Sequence, residues 1–403
     1  MPSLFVLRSR IGLAAALLLA VAMPTWADAD PDAAFADCLN GLQTQGRSHG
    51  ISSAALDQSF ASITYRPRII ELDRSQPEFV QTFWDYFQSR ADQRRTDRGR
   101  ALLIEHGPLL NRIHAEYGVR PEYLLAFWGL ETNFGSYFGS TPVLDALATL
   151  ACEGRRGSFF ADQLMHALRI IDEDGIAPQR MVGSWAGAMG HTQFMPSTFA
   201  AYAVDYDGNG QRDLWGSLPD AMASAANYLR AMGWRDGERW GREVRLPRDF
   251  DYALSGLDIR KPMSEWRQHG VRAADGGELP AADLEASLLL PAGYSGPAFL
   301  VYDNFHVILR WNRSTHYALT VGHLADRIAG MGRLHAQAPA QTRPLTRKEI
   351  KEIQQRLVQL GHLDGEIDGI AGRQTRAALR DFQRQQSLPA DGYPDHRILE
   401  ALR

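Results

Sequence analysis

The 403-residue sequence has few cysteines and little net charge, and it lacks several catalytic motifs. Its net charge is −4 and its lysines and arginines are spread along the chain, so we expect no nucleic-acid partner. No H-x-x-x-H pair occurs among its histidines, and cysteine partners are lacking, which argues against a catalytic zinc site. Because it also has no Walker phosphate loop and no serine-centred elbow, nucleotide binding and serine catalysis have no support.

Long hydrophobic runs are also scarce after the N-terminus. Two arginines precede an apolar run at residues 11–23, and small residues follow at Ala27 and Ala29. This pattern predicts a signal peptide, residues 1–27, with cleavage after Ala27 or Ala29. An uncleaved anchor is the alternative, but the run is shorter than the ~20 residues that span a bilayer. We therefore expect a soluble periplasmic protein with no integral membrane segment after signal cleavage.

The two cysteines, Cys38 and Cys152, both lie in the predicted mature chain. In an oxidising compartment they can form a disulfide, and closing so long a loop stabilises the fold by about 4 to 5 kcal/mol on the chain-entropy model. Two separate buried thiols are the alternative, since free cysteine is a favoured core residue.

What is present is an ordinary globular composition, 45% hydrophobic and 22% charged, in a chain long enough for two or three domains. Residues 32–236 have mostly helical patterning. Residues 242–311 contain shorter runs with proline, glycine and β-branched or aromatic residues, which predict short strands or loops before a last helix at 314–331.

The end of the chain is predicted to be a separate module. Residues 336–344, AQAPAQTRP, have the composition of a linker, so the large region before it spans residues 32–335. Residues 345–403 contain three amphipathic helical segments, the first of which ends at Gly361. At about 60 residues, such a module is near the lower limit for a self-sufficient core.

One carboxylate stands out in the apolar segment LLAFWGLETNFG, residues 124–135. The pattern predicts a helix from about Pro121 to residue 133, ended by Gly135. Glu131 shares a helix face with Phe127 and Trp128, and burial there raises a carboxyl pKa, as a general acid near neutral pH requires. An exposed glutamate or a buried ion-pair partner is the alternative.

Residues 184–198, SWAGAMGHTQFMPST, combine crowded glycine and alanine with polar side chains. Gln193 offers both a donor and an acceptor, and Ser184 offers a hydroxyl, which suits the hydroxyl and acetamido groups of a sugar. A tight helix packing site explains the composition equally well. We interpret His191 as a polar neighbour of a groove rather than a proton shuttle.

The end of the chain resembles a known module. Residues 353–383, IQQRLVQLGHLDGEIDGIAGRQTRAALRDFQ, are similar to the type-one peptidoglycan-binding domain, which implies attachment to cell-wall polymer. A generic helical tail is the alternative. The residues that would touch ligand do not follow from the sequence, because Asp364, Asp368 and Asp391 serve equally well as turn formers.

The motifs GLETNFG and AGAMGHTQFMPS together resemble the B family of lytic murein transglycosylases. The motifs DALATLA, NYLRAMGW and RWNRSTHYA agree in order and spacing, and the resemblance runs from about Phe35 to Ile328. It implies a mainly α (α+β) fold, with a lysozyme-like transglycosylase core, a small mixed insertion and the C-terminal three-helix module. It also implies peptidoglycan glycan strands as the partner.

The resemblance assigns roles by position. Glu131 matches the catalytic acid. Four positions match residues that line the family's glycan groove: Ser184, Gln193, Tyr228 and Asn312. Trp311 stands where a tyrosine is usual, and its indole is expected to stack on a sugar face.

The segment DYDGNGQRDLW, residues 205–215, has the spacing of a calcium loop. The predicted ligands are Asp205, Asp207, Asn209 and the carbonyl of Gln211. Gly216 stands where a bidentate glutamate would close the loop, and the resemblance assigns that closing position to Asp220. A plain turn is the alternative to a structural Ca²⁺ site, and no cofactor is required for the chemistry.

A lone acid fits a transglycosylase, whereas ordinary glycosidases use two carboxylates. Glu131 would protonate the β-1,4 glycosidic oxygen between N-acetylmuramic acid and N-acetylglucosamine. As a base, it would then activate the C6 hydroxyl that forms 1,6-anhydromuramic acid. The rivals are a lysozyme-type hydrolase with Asp145 or Glu153 as second acid, and a non-catalytic wall-binding protein.

Overall fold

The structure, a computed structural model, describes residues 31–75, 81–339 and 343–403. The predicted signal peptide, residues 1–27, lies outside the described residues. Helices dominate the rest of the chain, in agreement with the mainly α prediction. Across these three ranges, no helix combines the length and the hydropathy needed to cross a membrane.

The first part of the chain is a helical bundle with a short antiparallel strand pair. Its elements are α1 (Pro31–Ser48), α2 (Ser53–Phe60), α3 (Pro67–Ser75), α4 (Phe83–Arg90), α5 (Gln93–Glu105), α6 (Gly107–Tyr117), α7 (Pro121–Thr132), β1 (Thr141–Pro142), α8 (Val143–Glu153), α9 (Gly157–Asp174), β2 (Val182–Gly183), α10 (Pro196–Tyr202) and α11 (Leu218–Ala231).

A small antiparallel sheet follows, with one helix between its strands and two helices after them. Its elements are β3 (Gly241–Arg245), β4 (Lys261–Pro262), α12 (Met263–Gln268), β5 (Arg272–Ala273), β6 (Glu285–Leu289), β7 (Ala298–Val301), α13 (Asp303–Trp311) and α14 (Thr315–Ile328). The strand order in the sheet is β4-β6-β7-β3-β5. This mixed part has its own hydrophobic core, which includes the buried Trp266, Leu288 and Leu300.

The prediction of strands or loops up to residue 311 is wrong for its last nine residues, which form α13. The aromatic and β-branched residues favour a strand by local propensity. Phe305 and Ile308 lie three residues apart, however, and both are buried on one face of the helix. Helix α14 ends at Ile328 rather than at residue 331, because Gly330 has a positive φ of 95°.

Helix α7 lies at the centre of the molecule, against α5, α6, α11 and α14. Pro121 begins it as predicted, and most of its side chains are buried, as expected of a helix that is apolar all round. It ends at Thr132 with Asn133 in the left-handed conformation at φ 49°, so Gly135 comes after the helix end. Gly135 is needed for space, because a Cβ there would lie 2.5 Å from Cε1 of His191.

The C-terminal module contains α15 (Arg347–Gln359), α16 (Arg373–Gln385) and α17 (His396–Leu402) around a small core. The predicted linker, residues 336–344, is irregular where it is described, and residues 340–342 of it lie outside the described residues. Its start is bound to the sheet, because the backbone N–H groups of His335 and Ala336 each donate to the Glu243 carboxylate at 2.7 Å.

A hydrogen-bonded turn occurs twice in this module. Gln354 donates to Asp368 and accepts from the N–H of Gly369, both at 2.8 Å. Gln383 makes the same pair of bonds with the turn at Asp391. Each glutamine locks an Asp-Gly turn onto a helix, so Asp368 and Asp391 have a structural role in these turns.

Candidate active site

Glu131 lies in the last turn of α7, and its carboxyl group receives two hydrogen bonds on one oxygen. Trp311, at the end of α13, donates its Nε1–H to Oε1 at 2.8 Å. Tyr317, in the first turn of α14, donates its hydroxyl to the same oxygen at 2.5 Å. Three helices therefore meet at this one carboxyl group.

The pKa of Glu131 rises from 4.5 to about 7, and the main cause is burial. Hydrogen bonds from Tyr317 and Trp311 favour the charged form and oppose that rise. The side chain keeps a small exposed surface, but the carboxyl group is surrounded by protein, so desolvation prevails. The pKa of Tyr317 is raised well above its usual range, first by burial and then by Glu131, so this residue stays a donor.

The indole of Trp311 is packed among aromatic rings. Its centroid lies 4.5 Å from Phe127 and 5.2 Å from both Phe194 and Tyr228. These contacts fix the ring with its N–H edge toward Glu131. From the sequence, the indole of Trp311 was predicted to stack on a sugar. In the structure, its N–H donates a hydrogen bond to the Glu131 carboxyl group.

In the glycine-rich segment, residues 184–198, the predicted polar side chains form hydrogen bonds with the backbone, partly within the segment. The Ser184 hydroxyl oxygen accepts from the N–H groups of Ala186 and Ala188 at 3.3 and 3.0 Å. Gln193, which has a positive φ of 50°, donates its amide to the carbonyls of Phe138 and Gly190 at 3.1 and 3.0 Å. The prediction that Gln193 offers both a donor and an acceptor needs correction, because its amide N–H groups bind the backbone and its Oε1 is the group left for a ligand.

His191 is held in one protonation state. Its Nδ1 lies 2.8 Å from Nε1 of Trp128, and because indole is only a donor, Nδ1 must be the acceptor. Burial lowers the pKa of His191 to about 4, so the ring is neutral near pH 7 and its proton is on Nε2. This agrees with a polar neighbour of the groove rather than a proton shuttle.

The last two predicted groove residues make hydrogen bonds at the end of α13 and in the turn that follows it. The Tyr228 hydroxyl donates to the carbonyl oxygen of Arg310 at 2.9 Å. Asn312 is exposed, and its Oδ1 accepts from the N–H of Ser314 at 3.0 Å. Both residues therefore stabilise the chain from Arg310 to Ser314, which contains Trp311 and precedes Tyr317.

Of the two acids proposed for a hydrolase, one is buried and held in an ion pair and the other is exposed. Asp145 is buried and accepts from Arg66 at 2.8 Å and from the N–H of Thr64 at 3.0 Å. Glu153 is exposed at the end of α8. In the part of the chain that the structure describes, the hydrogen bonds to the Glu131 carboxyl group come from neutral donors.

The predicted calcium loop brings three carboxylates together. Oxygens of Asp205, Asp207 and Asp220 lie within 4.8 Å of one another. Asp220 is fully buried and accepts from the N–H groups of Tyr206, Asp207 and Asp213. Burial is the largest cause of its raised pKa. Three carboxylates in so small a space, one of them buried, fit a hard divalent cation that prefers oxygen ligands.

The other two predicted ligands are only partly available. The Asn209 Oδ1 accepts from the N–H of Gln211 at 2.9 Å. The Gln211 side chain donates to the carbonyl of Asp174 at 2.6 Å, so its backbone carbonyl is the ligand it can supply. At Gly216, where a calcium loop has its closing glutamate, the backbone N–H binds Asp213, and the Asp220 carboxylate lies beside those of Asp205 and Asp207.

Cys38 of α1 and Cys152 of α8 are joined in a disulfide with an S–S distance of 1.98 Å. The bond links positions 114 residues apart and ties the first helix to the bundle.

Two protein families match this chain. The family described as the transglycosylase SLT domain matches residues 34–326, and the putative peptidoglycan binding domain matches residues 346–402. Membrane-bound lytic murein transglycosylase B of Escherichia coli is 33% identical over 282 residues, which cover 67% of this chain and 68% of that protein.

Two solved structures are informative. SltB3 from Pseudomonas aeruginosa, in complex with NAG-anhNAM-pentapeptide, is 47% identical with a TM-score of 0.89, and the match covers 92% of this chain and 99% of that one. Escherichia coli Slt35 in complex with calcium is 30% identical with a TM-score of 0.62, and the match covers 73% of this chain and 92% of that one.

Tyr317 is the residue of this site that sequence reasoning missed. It lies in the motif RWNRSTHYA, which carried part of the resemblance, so the motif pointed to its position although not to its contact with Glu131. The predicted fold class is confirmed by the lytic transglycosylase structures. The chain therefore belongs to the transglycosylase SLT domain family and is a lytic transglycosylase.

Proposed function

We propose that the enzyme cleaves the β-1,4 bond between N-acetylmuramic acid and N-acetylglucosamine in peptidoglycan and leaves a 1,6-anhydromuramic acid end. The observation that carries this proposal is the carboxyl group of Glu131, which has a pKa of about 7 and contacts only neutral donors among the described residues. Such a group is protonated in a large fraction of molecules near neutral pH, as an acid catalyst must be.

The hydrogen bonds suggest which oxygen reacts. Trp311 and Tyr317 both donate to Oε1 of Glu131, so the proton belongs on Oε2. Oε2 protonates the glycosidic oxygen as its bond to C1 breaks. Oε1 keeps its two donors, which stabilise the carboxylate that this step leaves.

The same carboxylate then acts as a base. It takes the proton from the C6 hydroxyl of the muramoyl residue, whose oxygen attacks C1 and closes the anhydro ring. Because the nucleophile is part of the substrate, no second carboxylate is needed to hold a water molecule, and its fixed position lowers the entropic part of the barrier.

The remaining groove assignments follow from accessible polar atoms. We assign sugar contacts to Oε1 of Gln193, the hydroxyl of Ser184 and the side chain of Asn312, and a supporting role to Tyr228 through Arg310. The complex of SltB3 with NAG-anhNAM-pentapeptide supports a substrate of this kind.

We also propose the division of the chain and its location. The catalytic region spans residues 32–335, residues 336–344 connect it to the module at 345–403, and that module binds cell-wall polymer. The match of a peptidoglycan-binding family to residues 346–402 supports the last point. The signal-like residues 1–27 and the disulfide support export to the periplasm.

A structural calcium ion is proposed for the loop at residues 205–220. Asp205, Asp207 and Asp220 would hold it together with Asn209 and the carbonyl of Gln211. The calcium complex of Slt35 supports the choice of metal. The ion would stabilise the loop and takes no part in the chemistry.

Glycan release from purified murein tests whether Glu131 is the catalyst. We expect Glu131→Gln to abolish soluble glycan release while the protein still pellets with murein. Unchanged release would remove Glu131 from the mechanism. If neither the wild type nor Glu131→Gln released glycan while both pelleted normally with murein, the result would favour a non-catalytic wall-binding protein.

A further inference from the structure

A cavity of about 570 Å³ lies between the C-terminal module and the catalytic region. One wall is formed by residues 255–259, the end of β6 and the start of α14, and the other by the first half of α16. Four arginines line it, and we call it the arginine cavity. They are Arg313, Arg373, Arg376 and Arg380.

Three of these arginines are placed by a helix. Arg373, Arg376 and Arg380 are spaced three and four residues apart on α16, so they share one face. The N-terminal cap of that helix, Gly372, also lines the cavity and makes no side-chain cap hydrogen bond. The helix thus adds free N–H groups and the positive end of its dipole to the guanidinium groups.

The protein satisfies these guanidinium groups only in part. Arg376 donates Nε–H to the carbonyl of Ala371 at 3.0 Å, and Arg380 makes a long 3.4 Å contact with the carbonyl of Ser255. In the described ranges, Nε of Arg380 is buried without a hydrogen-bond partner. Burial is the main cause of a lowered pKa at Arg376, and Arg380 adds to it by repulsion.

The carboxylates that line the cavity, Asp258 and Asp391, balance its positive charge only in part. Asp391 is buried, and its oxygens accept from Gln383, from the N–H of Tyr393 and from the N–H of Tyr294. Asp258 is exposed on the rim. Because four guanidinium groups face two carboxylates, the cavity has an excess of positive charge.

We propose that the arginine cavity binds a carboxylate of a peptidoglycan stem peptide. This inference rests on the proposed function, which supplies a substrate whose muramoyl residues carry such peptides. Guanidinium groups recognise carboxylates through paired, charge-assisted hydrogen bonds.

The position of the cavity relative to the catalytic carboxyl group supports a peptide as the ligand. His316 lines the cavity, and the next residue, Tyr317, donates to Glu131. Consecutive Cα atoms are about 3.8 Å apart, and a stem peptide of five residues extends over roughly 15 Å. The Cα atoms of the cavity-lining residue and of the donor to Glu131 are therefore much closer together than the two ends of such a peptide.

The test compares two ligands that differ only in the peptide. Calorimetric titration of the full chain uses a muropeptide tetrasaccharide with pentapeptides and the same tetrasaccharide without them. All proteins carry Glu131→Gln to prevent turnover. We expect Arg373→Gln and Arg380→Gln each to weaken binding of the peptide-bearing ligand about three- to tenfold and to leave the peptide-free ligand unchanged.

Two further variants test the cause of any loss. Arg384 is on the same helix but pairs with Asp381 outside the cavity, so Arg384→Gln should bind both ligands as the parent does. Arg373→Lys keeps the charge and loses the planar fork, and should lose less affinity than Arg373→Gln.

Three results would overturn the inference: no loss beyond that of Arg384→Gln, equal loss for both ligands, or displacement of the peptide-bearing ligand by a glycerol phosphate oligomer at equal concentration. The last result would identify a phosphate site. None of them changes the mass of the wild-type product, so failure here is distinguishable from failure of the proposed function.

Discussion

The hydroxyl of Tyr317 donates to Oε1 of Glu131 at 2.5 Å, although the two residues are 186 positions apart in the sequence. Burial raises the pKa of this carboxyl group, and the hydrogen bond from Tyr317 opposes that rise. The two influences together place the pKa at about 7, where the carboxyl group gives up and takes back a proton most readily near neutral pH.

Removing the Tyr317 hydroxyl should therefore raise the pKa of Glu131 further. In Tyr317→Phe we expect the alkaline limb of the kcat/KM profile to move to higher pH, because the acid stays protonated longer. The maximal rate should fall about tenfold, because the carboxyl group loses one of its two fixed donors. Tyr252→Phe, in the mixed part of the fold, is the control. A profile that does not move would contradict this role for Tyr317.

The raised pKa also predicts a pH-dependent effect on stability. The pKa of Glu131 in the folded protein, about 7, is higher than its ordinary value of 4.5, so the fold favours the protonated form. This stabilisation is complete below pH 4.5 and is lost as the pH rises through 7. Glutamine does not ionise, so Glu131→Gln should become more stable than the wild type above pH 7, by at most about 3 kcal/mol.

Thermal melts of the two proteins at pH 5 and pH 8.5 measure this difference. The Tm of Glu131→Gln should exceed that of the wild type at pH 8.5, and the gap should shrink at pH 5. A constant gap would mean that the Glu131 carboxyl group does not titrate in this range.

Calcium should stabilise the protein through the loop at residues 205–220. At saturation we expect the ion to raise the Tm of the wild type by roughly 5 °C. Asp205→Asn removes a carboxylate from the cluster and should cancel the rise. Asp283→Asn, which removes an exposed carboxylate elsewhere, should keep it. No effect of calcium on the wild type would make the loop a plain turn.

The disulfide should contribute several kcal/mol to stability. Because Cys38 and Cys152 are 114 residues apart, opening the bond releases a long loop and should cost about 4 to 5 kcal/mol on the chain-entropy model. The single variants Cys38→Ser and Cys152→Ser should melt at the same lowered temperature as the double variant. Equal melting of oxidised and reduced wild type would contradict this contribution.

Local spacing was enough to predict helix α7 and to place Glu131 on its aromatic face, whereas an exposed or ion-paired glutamate remained the alternative. A proline at the first position, aromatic residues three and four places before the acid and a glycine beyond the helix end are all short-range signals. The donors to Glu131 come from helices far along the chain, and no periodicity links them to it. Trp311 was selected for its aromatic ring, and its N–H contact depends on packing against Phe127 and Phe194.

Helix α13 shows why part of the fold escaped prediction. Its residues are aromatic and β-branched and follow directly after β7, so local propensity favours a strand. The helix is favoured instead because it buries Phe305 and Ile308 on one face. The hydrogen bond from the Gln193 amide to the carbonyl of Phe138 also escaped prediction. The two residues are 55 positions apart, so only the folded structure brings them together.

The mass of the products released from murein tests the central claim most directly, that a single carboxylate acts first as acid and then as base. The account predicts muropeptides with a 1,6-anhydro end from the wild type and no release from Glu131→Gln. Products that are heavier by one water, with a free reducing end, would show that water is the nucleophile and would contradict it.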